Sequence, residues 1–88
     1  MTHDVYRVTF ADSAKRELIA LSANAIERIQ AKIRELANNP RPPGCKKLRG
    51  ARNLWRIRVG DYRVIYTVDG IAKTVDVTRI AHRREVYD

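Results

Sequence analysis

Two residues, Gly60-Asp61, separate two runs in which apolar and polar side chains alternate, and this spacing limits the possible folds more than any other feature. The runs are Leu54–Val59 and Tyr62–Val68, and a connection of two residues that starts with glycine is typical of a type II′ β-hairpin. The length of the turn fixes the register, so Val59 is predicted to pair with Tyr62. We therefore predict an antiparallel hairpin in which every side chain is assigned to a face.

The alternation divides this hairpin into a basic face and an apolar face. Arg58 is predicted to lie directly opposite Arg63, with Arg56 on the same face. Like charges in opposite positions repel each other, so the pair requires either a nearby acid or an anionic ligand. The apolar face is predicted to lie under helices and carries Trp55, Ile57, Val59, Tyr62, Val64 and Tyr66.

A further strand, at about Lys73–Ile80, supplies the candidate acid. A two-residue loop before it would pair Arg63 with Asp76, whereas a four-residue loop would place Arg63 opposite Thr78 with Asp76 on the diagonal. Both registers keep Asp76 on the basic face, so an Arg63–Asp76 surface ion pair remains the alternative to an anionic ligand. The residues that both registers place in the core are Val75 and Val77.

The first half of the chain predicts one strand and two helices. Val5–Phe10 alternates as a strand does, and Asp12 or Ser13 can cap a first helix. Ser22-Ala23-Asn24 can cap a second helix, which ends before Pro40. The apolar stripes of the two helices are Ala14, Leu18 and Leu21, followed by Ile26, Ile29, Ile33, Leu36 and Ala37. The order strand, two-helix antiparallel hairpin, three antiparallel strands predicts an α+β fold, with residues 1–88 as one domain and both helices on one face of the sheet.

The positive charge of the chain is unevenly distributed. The formal net charge is +8, and residues 41–88 hold twelve Lys or Arg against five Asp or Glu. An excess on one side of a small domain indicates an anionic partner, with nucleic acid as the first candidate. The basic side chains predicted in the loop Cys45–Asn53 are Lys46, Lys47, Arg49 and Arg52.

Other features of the sequence narrow the possible functions. No apolar run approaches the roughly 18 residues of a membrane span, and Met1-Thr2-His3-Asp4 does not resemble a signal peptide. The one cysteine, Cys45, cannot form an internal disulfide, which fits a reducing cytoplasm. The histidines, the cysteine and the acids do not have the spacing of metal ligands, so we predict no metal and no cofactor.

Three blocks of the sequence resemble the RelE/ParE toxins. Residues 39–50 read NPRPPGCKKLRG, similar to the NPRPPGCKKLKG segment of that family. Residues 54–66 read LWRIRVGDYRVIY, similar to the family's LYRIRVGDYRVIY block, and residues 82–87 match its HRREVY terminus. The resemblance covers essentially the whole chain and implies the RelE-like fold described above.

The resemblance also implies an activity and a site. Toxins of the RelE type cut messenger RNA in the ribosomal A site, and an antitoxin of the RelB type is expected to hold this one in check. We also expect that the cleavage needs no metal and that the pair binds operator DNA through the antitoxin. The positions that match the family's catalytic residues are Arg56, Arg58, Arg63, His82, Arg83 and Tyr87, and Arg84 joins Lys46, Lys47, Arg49 and Arg52 as a contact to RNA or the ribosome.

One departure from the family pattern bears on the chemistry. Some members have lysines where Arg56 and Arg58 stand, and arginine is a poor general base but a good phosphate clamp. Histidine is the side chain most often used for proton transfer in catalysis, so His82 could share the acid–base work. Two rivals remain: a ParE-like toxin that inhibits DNA gyrase without cutting RNA, and a module that only binds nucleic acid.

Overall fold

The structure is a computed structural model that describes residues 5–50 and 53–83. Its elements are β1 (Arg7–Phe10), α1 (Asp12–Ile19), α2 (Ala23–Leu36), β2 (Lys46–Lys47), β3 (Leu54–Val59), β4 (Tyr62–Asp69) and β5 (Thr74–His82). The predicted order of strand, two helices and three strands is confirmed. One element was missed: the two-residue strand β2 lies in the segment that was predicted to be only a basic loop. Among the residues that the structure describes, neither helix is long and apolar enough to cross a bilayer.

The five strands form one mixed sheet in the order β1-β5-β4-β3-β2. The β3–β4 hairpin has the predicted register, with Val59 opposite Tyr62 and Arg58 opposite Arg63. Gly60 has a φ of +59°, and Asp61 is not among the residues with positive φ, as a type II′ turn requires. β1 is parallel to β5, whereas the other neighbouring strands are antiparallel. A parallel pair needs a crossover, and α1 and α2 lie in it.

The predicted pairing of β4 with β5 is wrong. Both predicted registers placed Arg63 opposite Asp76 or Thr78, but Arg63 lies opposite Ala81, and Asp76 lies opposite Thr67. Two features cause the difference: the connection extends to Lys73, and a β-bulge lies beside Ile65 and Tyr66. Asp76 accepts a hydrogen bond from Thr9 Oγ1 at 2.8 Å instead of facing Arg63.

The bulge leaves Thr78 without an opposite residue, because Tyr66 pairs with Val77 and Ile65 pairs with Arg79. One extra residue reverses the faces of all side chains that follow it in the strand. Val77 is therefore in the core before the bulge and Ile80 is in the core after it, with exposures of 0% and 3%. The hydroxyl of Thr78 donates to the carbonyl oxygen of Ile65 at 3.2 Å.

The core lies between the sheet and the two helices, as predicted. Val64, Val75 and Val77 are completely buried from the sheet side, as is Ile29 from α2. Burial of side chains of this size stabilises the folded chain by about 1.5–3 kcal/mol each. The buried helix residues are Ala14 and Leu18 in α1 and Ala25, Ile29, Ile33 and Leu36 in α2.

The helix caps agree only in part with the prediction. Ser22 caps α2 as predicted, and its hydroxyl accepts a hydrogen bond from the Ala25 N–H at 3.2 Å. Neither Asp12 nor Ser13 caps α1, because the cap position is Ala11, whose side chain makes no hydrogen bond. The Ser13 hydroxyl instead donates to the carbonyl oxygen of Thr78 at 3.0 Å.

α1 covers the edge of β5 where β1 ends. β1 pairs with Thr74 to Val77, so the second half of β5 has no strand on that side within the described residues. Glu17 of α1 takes that place, because its Oε1 accepts a hydrogen bond from the Ile80 N–H at 2.9 Å. Its Oε2 contacts Arg79 Nη2 at 3.1 Å. The carboxylate thus binds an edge amide and a guanidinium at once.

Gly60→Ala is expected to lower the free energy of unfolding by about 1–3 kcal/mol, the usual cost of a non-glycine residue at positive φ in such a position. A Cβ at Gly60 would also lie 2.6 Å from Nη2 of Arg28 in α2. Urea unfolding measures the loss. In an Arg28→Ala background the steric part should disappear and only the backbone cost should remain. Wild-type stability in Gly60→Ala would contradict the assigned turn.

The segment that enters β2 is held to the core by Tyr66. The Tyr66 hydroxyl donates to the carbonyl oxygen of Pro40 at 2.7 Å, and the side chain is completely buried. Burial raises the pKa of Tyr66 well above its ordinary value, and the neighbouring Cys45 raises it further. Next to this contact, the guanidinium of Arg41 lies over the ring of Trp55, 5.1 Å from its centroid.

The raised pKa of Tyr66 predicts how stability depends on pH. Above about pH 10 an unfolded tyrosine loses its proton while the buried one keeps it, so the unfolded state binds fewer protons. The free energy of unfolding should then fall by up to about 1.4 kcal/mol per pH unit as pH rises. Tyr66→Phe should lose about 1 kcal/mol at pH 7 and show a shallower decline above pH 10. Urea midpoints from pH 7 to pH 11 test this, and equal slopes for the two proteins would refute it.

Candidate functional site

Three arginines lie together on the side of the sheet that faces away from the helices. Arg56 and Arg58 come from β3 and Arg63 from β4, and we call this group the arginine face. Val59 and Tyr62 close the two-residue turn, so the next pair, Arg58 and Arg63, is a non-hydrogen-bonded pair, with Cα atoms about 4.5 Å apart. The predicted basic face is confirmed, and two of its arginines, Arg58 and Arg63, lie directly opposite each other on neighbouring strands.

The arginines of this face differ in depth. Arg56 is 3% exposed and is the one buried charged residue in the described ranges, whereas Arg58 is exposed and Arg63 is half-buried. A buried charge requires compensation, and its field is weakly screened by water. The face therefore combines one buried guanidinium group with two that are more accessible.

Arg83 lies at the end of β5, next to the turn of the β3–β4 hairpin. The backbone N–H of Arg83 donates to the carbonyl oxygen of Asp61 at 2.7 Å. Its Nε is 3.8 Å from Asp61 Oδ1, and both side chains are more than half exposed, so this ion pair adds little to stability. Ala81, two residues earlier, lies opposite Arg63 and is buried. β5 thus brings Arg83 to the turn that joins the strands of the arginine face.

His82 lies on the other face of the sheet. It pairs with Tyr62, and the two rings are perpendicular with centroids 5.6 Å apart. A cavity of about 320 Å³ borders it on the helix side and includes Glu17 and Leu21. In an unbulged strand the alternation that puts Asp76 on the basic face would put His82 there as well. The bulge at Thr78 reverses this, so the structure does not bring His82 together with the arginines.

The basic residues of the predicted loop are found at the far edge of the sheet. Lys46 and Lys47 form β2, both are exposed, and they lie opposite Arg56 and Trp55 respectively. Lys46 therefore continues the row of positive charge from the arginine face, and Arg49 follows in the exposed loop. The candidate residues Arg52, Arg84 and Tyr87 lie outside the described residues. Among the described residues, no three His, Cys, Asp or Glu side chains cluster as metal ligands would.

A sequence model of a known family matches nearly the whole chain. The family is described as the ParE toxin of the type II toxin–antitoxin system parDE, and the match extends over residues 8–87. The chain belongs to the RelE/ParE superfamily of toxins. The resemblance seen in the three sequence blocks is thereby confirmed.

Curated proteins similar to this RelE/ParE toxin carry RelE-type names. It is 34% identical over 86 residues to toxin RelE3 of Methanocaldococcus jannaschii, covering 93% of this chain and 96% of that protein. It is 28% identical to toxin RelG of Mycobacterium tuberculosis, covering 93% of this chain and 95% of that protein. The relatives are matched over nearly their full lengths.

Solved structures confirm the RelE-like α+β fold. The toxin superposes on the RelE–RelB complex of Pyrococcus horikoshii with a TM-score of 0.81 and 29% identity, over 93% of this chain and 99% of that chain. It superposes on the isolated RelE toxin of E. coli with a TM-score of 0.77 and 26% identity, over 88% and 83% of the two chains. These matches include both a free toxin and a toxin bound to its antitoxin.

One basic residue near the site of this toxin, Lys32, was not predicted from the sequence. Lys32 of α2 reaches a cavity that Lys46 and Arg58 also line. The signal that could have indicated it is the helical spacing of Arg28, Lys32 and Glu35, which places three charged residues on one side of α2. Without the position of α2 relative to β3, that pattern is equally typical of any solvated helix.

Proposed function

We propose that this toxin is an endoribonuclease that cuts messenger RNA in the ribosomal A site and thereby inhibits translation. The observation that carries the proposal is the arginine face, where Arg56, Arg58 and Arg63 form one cationic surface on the sheet. RNA supplies phosphates to such a surface, and the charge distribution of the chain favours the same ligand. The similarity to curated RelE toxins supports this reading.

The proposed reaction uses the nucleophile of the RNA itself. The 2′-hydroxyl attacks the adjacent phosphorus, the bond to the 5′-oxygen breaks, and the products are a 2′,3′-cyclic phosphate and a free 5′-hydroxyl. Negative charge builds up on the phosphoryl oxygens, and Arg58 and Arg63 stabilise it electrostatically. Arg56 holds the backbone, and Arg83 adds charge at the turn end of the face.

Proton transfer is the step that the described side chains serve least well. Arginine is a poor general base, and the ring of His82, the predicted proton carrier, lies beside Tyr62 on the helix side. We therefore propose that the ribosome takes part in proton transfer or orients the 2′-hydroxyl. Tyr87 is proposed to stack on a base, and Lys46, Lys47, Arg49, Arg52 and Arg84 are proposed to bind RNA phosphates.

Primer extension in a translating extract tests the function. We expect cuts within the coding sequence that need both the toxin and ribosomes. The proposed site of action in the cell is the cytoplasm. Vigorous cutting of naked messenger RNA at low toxin concentration would refute the dependence on the ribosome. The reaction is also proposed to need no metal, so rescue of a phosphorothioate-substituted RNA by Mn²⁺ would contradict that part.

We propose a cognate antitoxin of the RelB type as the partner that neutralises this toxin. Similar structures from Pyrococcus horikoshii and Methanococcus jannaschii are of RelE–RelB complexes. In this chain Ile19 of α1 is 75% exposed, which leaves an apolar point for a partner helix. Operator DNA is proposed to bind through the antitoxin. Co-expression with the neighbouring small reading frame should relieve growth arrest and allow the two proteins to co-purify.

The second candidate function is inhibition of DNA gyrase. The observation that favours it is the matching family model, whose description is a ParE toxin. Fold cannot separate the two activities, because one fold carries both. A supercoiling assay with purified gyrase decides between them: inhibition by the toxin without any cleavage of ribosome-bound RNA would replace the ribonuclease proposal.

A further inference from the structure

A cavity of about 560 Å³ opens at the edge of the sheet between β3, the turn before β2, and α2. We call it the edge pocket. Six residues carry the argument about it, and they come from three separate elements. They are Lys32 and Glu35 of α2, Cys45 just before β2, Lys46 of β2, and Arg56 and Arg58 of β3.

The edge pocket has a strong positive charge. Four of these six described residues are cationic and one is a carboxylate, so their formal charges sum to +3. Glu35 Oε2 lies 3.5 Å from Lys32 Nζ, and both side chains are more than half exposed, so water screens this pair substantially. A concave surface with charge of one sign concentrates ligands of the opposite charge.

The edge pocket is continuous with the arginine face. Arg56 and Arg58 belong to both, and Lys46 lies opposite Arg56 in the pairing of β2 with β3. β2 pairs only with Trp55 and Arg56, so β3 extends beyond β2 and lines the pocket as far as Arg58. Gly44 forms part of the wall, and a Cβ there would meet no atom within 4 Å, so the space beside this residue is open.

We propose that the edge pocket binds a backbone phosphate of RNA, adjacent to the phosphate held on the arginine face. The RNA strand then crosses the edge of β3 and passes between β2 and α2, with Lys32 as the contact on the helix side. This inference rests on the proposed function, because it assumes that the anion on the arginine face belongs to RNA. The proposal assigns a binding role to Lys32 of α2 and defines the path of the RNA strand across the edge of the sheet.

The first test measures how salt weakens RNA binding. A 2′-O-methyl oligoribonucleotide lacks the attacking hydroxyl, so it binds without being cut. For single strands, each phosphate contact contributes about −0.7 to the slope of log K against log salt. Lys32→Gln should reduce the magnitude of that slope by about 0.7, as measured by fluorescence anisotropy. Lys15→Gln in α1 removes the same charge far from the pocket and should leave the slope unchanged.

Glu35 allows contact to be separated from general charge. Glu35→Gln should tighten binding, because it removes the one carboxylate among the described residues that line the pocket. The double variant with Lys32→Gln and Glu35→Gln keeps the wild-type net charge but lacks the lysine contact. A slope that remains reduced in this double variant supports a direct contact between Lys32 and phosphate, whereas a wild-type slope overturns the proposal.

Cys45 supplies an independent readout, because it is the single cysteine of the chain and lines the pocket. The bound oligonucleotide should slow alkylation of the Cys45 thiol by iodoacetamide, and Lys32→Gln should weaken that protection. Protection by an acidic antitoxin peptide but not by RNA would overturn the proposal, and so would unchanged alkylation in the RNA complex.

Two comparisons complete the test. The first compares binding of the oligonucleotide with sedimentation on ribosomes, and the second compares Lys32→Gln with Arg63→Ala. If Lys32→Gln weakens binding of the oligonucleotide and reduces its salt slope, the phosphate belongs to the RNA strand on the arginine face and the proposal is supported. If Lys32→Gln weakens only sedimentation with ribosomes and leaves the oligonucleotide slope at its wild-type value, Lys32 contacts ribosomal RNA instead and the proposal is overturned. Arg63→Ala could abolish RNA binding while Lys32→Gln keeps the wild-type salt slope. That result would refute the edge-pocket proposal but leave the proposed function intact. If neither variant changes RNA binding, the proposed function fails with it.

Discussion

Arg63→Ala is expected to lower the single-turnover rate of ribosome-dependent messenger RNA cleavage by about 100-fold, comparable to the loss of one oxyanion donor in other enzymes. Arg63 is half-buried and opposite Arg58, so the remaining arginine cannot occupy its position. The new alanine would face Ala81, and two small side chains are compatible with paired strands. The fold is therefore expected to be preserved, as circular dichroism would show.

Arg7→Ala is the matched control for this experiment. Arg7 lies in β1, two strands away from β4 in the same sheet, and is exposed. Its removal lowers the net charge by the same unit, so it corrects for any general loss of attraction to RNA. A change of less than about threefold in Arg63→Ala, roughly 0.65 kcal/mol in activation free energy, would show that Arg63 is structural.

Ile29→Ala is expected to reduce the free energy of unfolding by about 2–5 kcal/mol, the range for large-to-small substitutions in well-packed cores. Ile29 is completely buried in α2 and belongs to the cluster that covers the sheet. Because a small domain is stabilised by only about 5–15 kcal/mol in total, the loss should shift the urea midpoint strongly.

Ile19→Ala makes the same chemical change at an exposed position. Ile19 is 75% exposed at the end of α1, so its removal should alter the free energy of unfolding by no more than about 0.5 kcal/mol. The same variant should weaken binding of a RelB-type partner if that surface is used as proposed. Equal losses of stability in the two variants would contradict the assigned core.

The parts of the fold that local chemistry determines could be predicted from the sequence. A two-residue turn starting with Gly60 leaves one register for the hairpin, so the arginine face followed directly from alternation. Helical periodicity identified the stripe of α2 that includes Ile29 and Ile33, since no other arrangement buries those side chains together.

The errors arose where distant segments decide the local structure. Nothing local to β5 predicts the bulge at Thr78, because the partners of this stretch come from α1. Ser13 donates to the Thr78 carbonyl oxygen, and Glu17 accepts from the Ile80 N–H. The position of His82 depends on that bulge, so it could not be derived from alternation alone. β2 was missed for a similar reason, because two residues are too short for a periodic pattern.

The carboxylate of Glu17 also affects how copies of this protein meet each other. A sheet edge with open backbone groups is a template for strands from other molecules, and it is a common origin of aggregation and strand exchange. On β5 the Ile80 N–H is already bound to Glu17, and Ser13 donates to the carbonyl oxygen of Thr78. Another chain could add a strand beside this half of β5 only after α1 had detached from the sheet. A side chain from a helix therefore protects this edge from self-association, a task that other proteins assign to a proline or an exposed lysine.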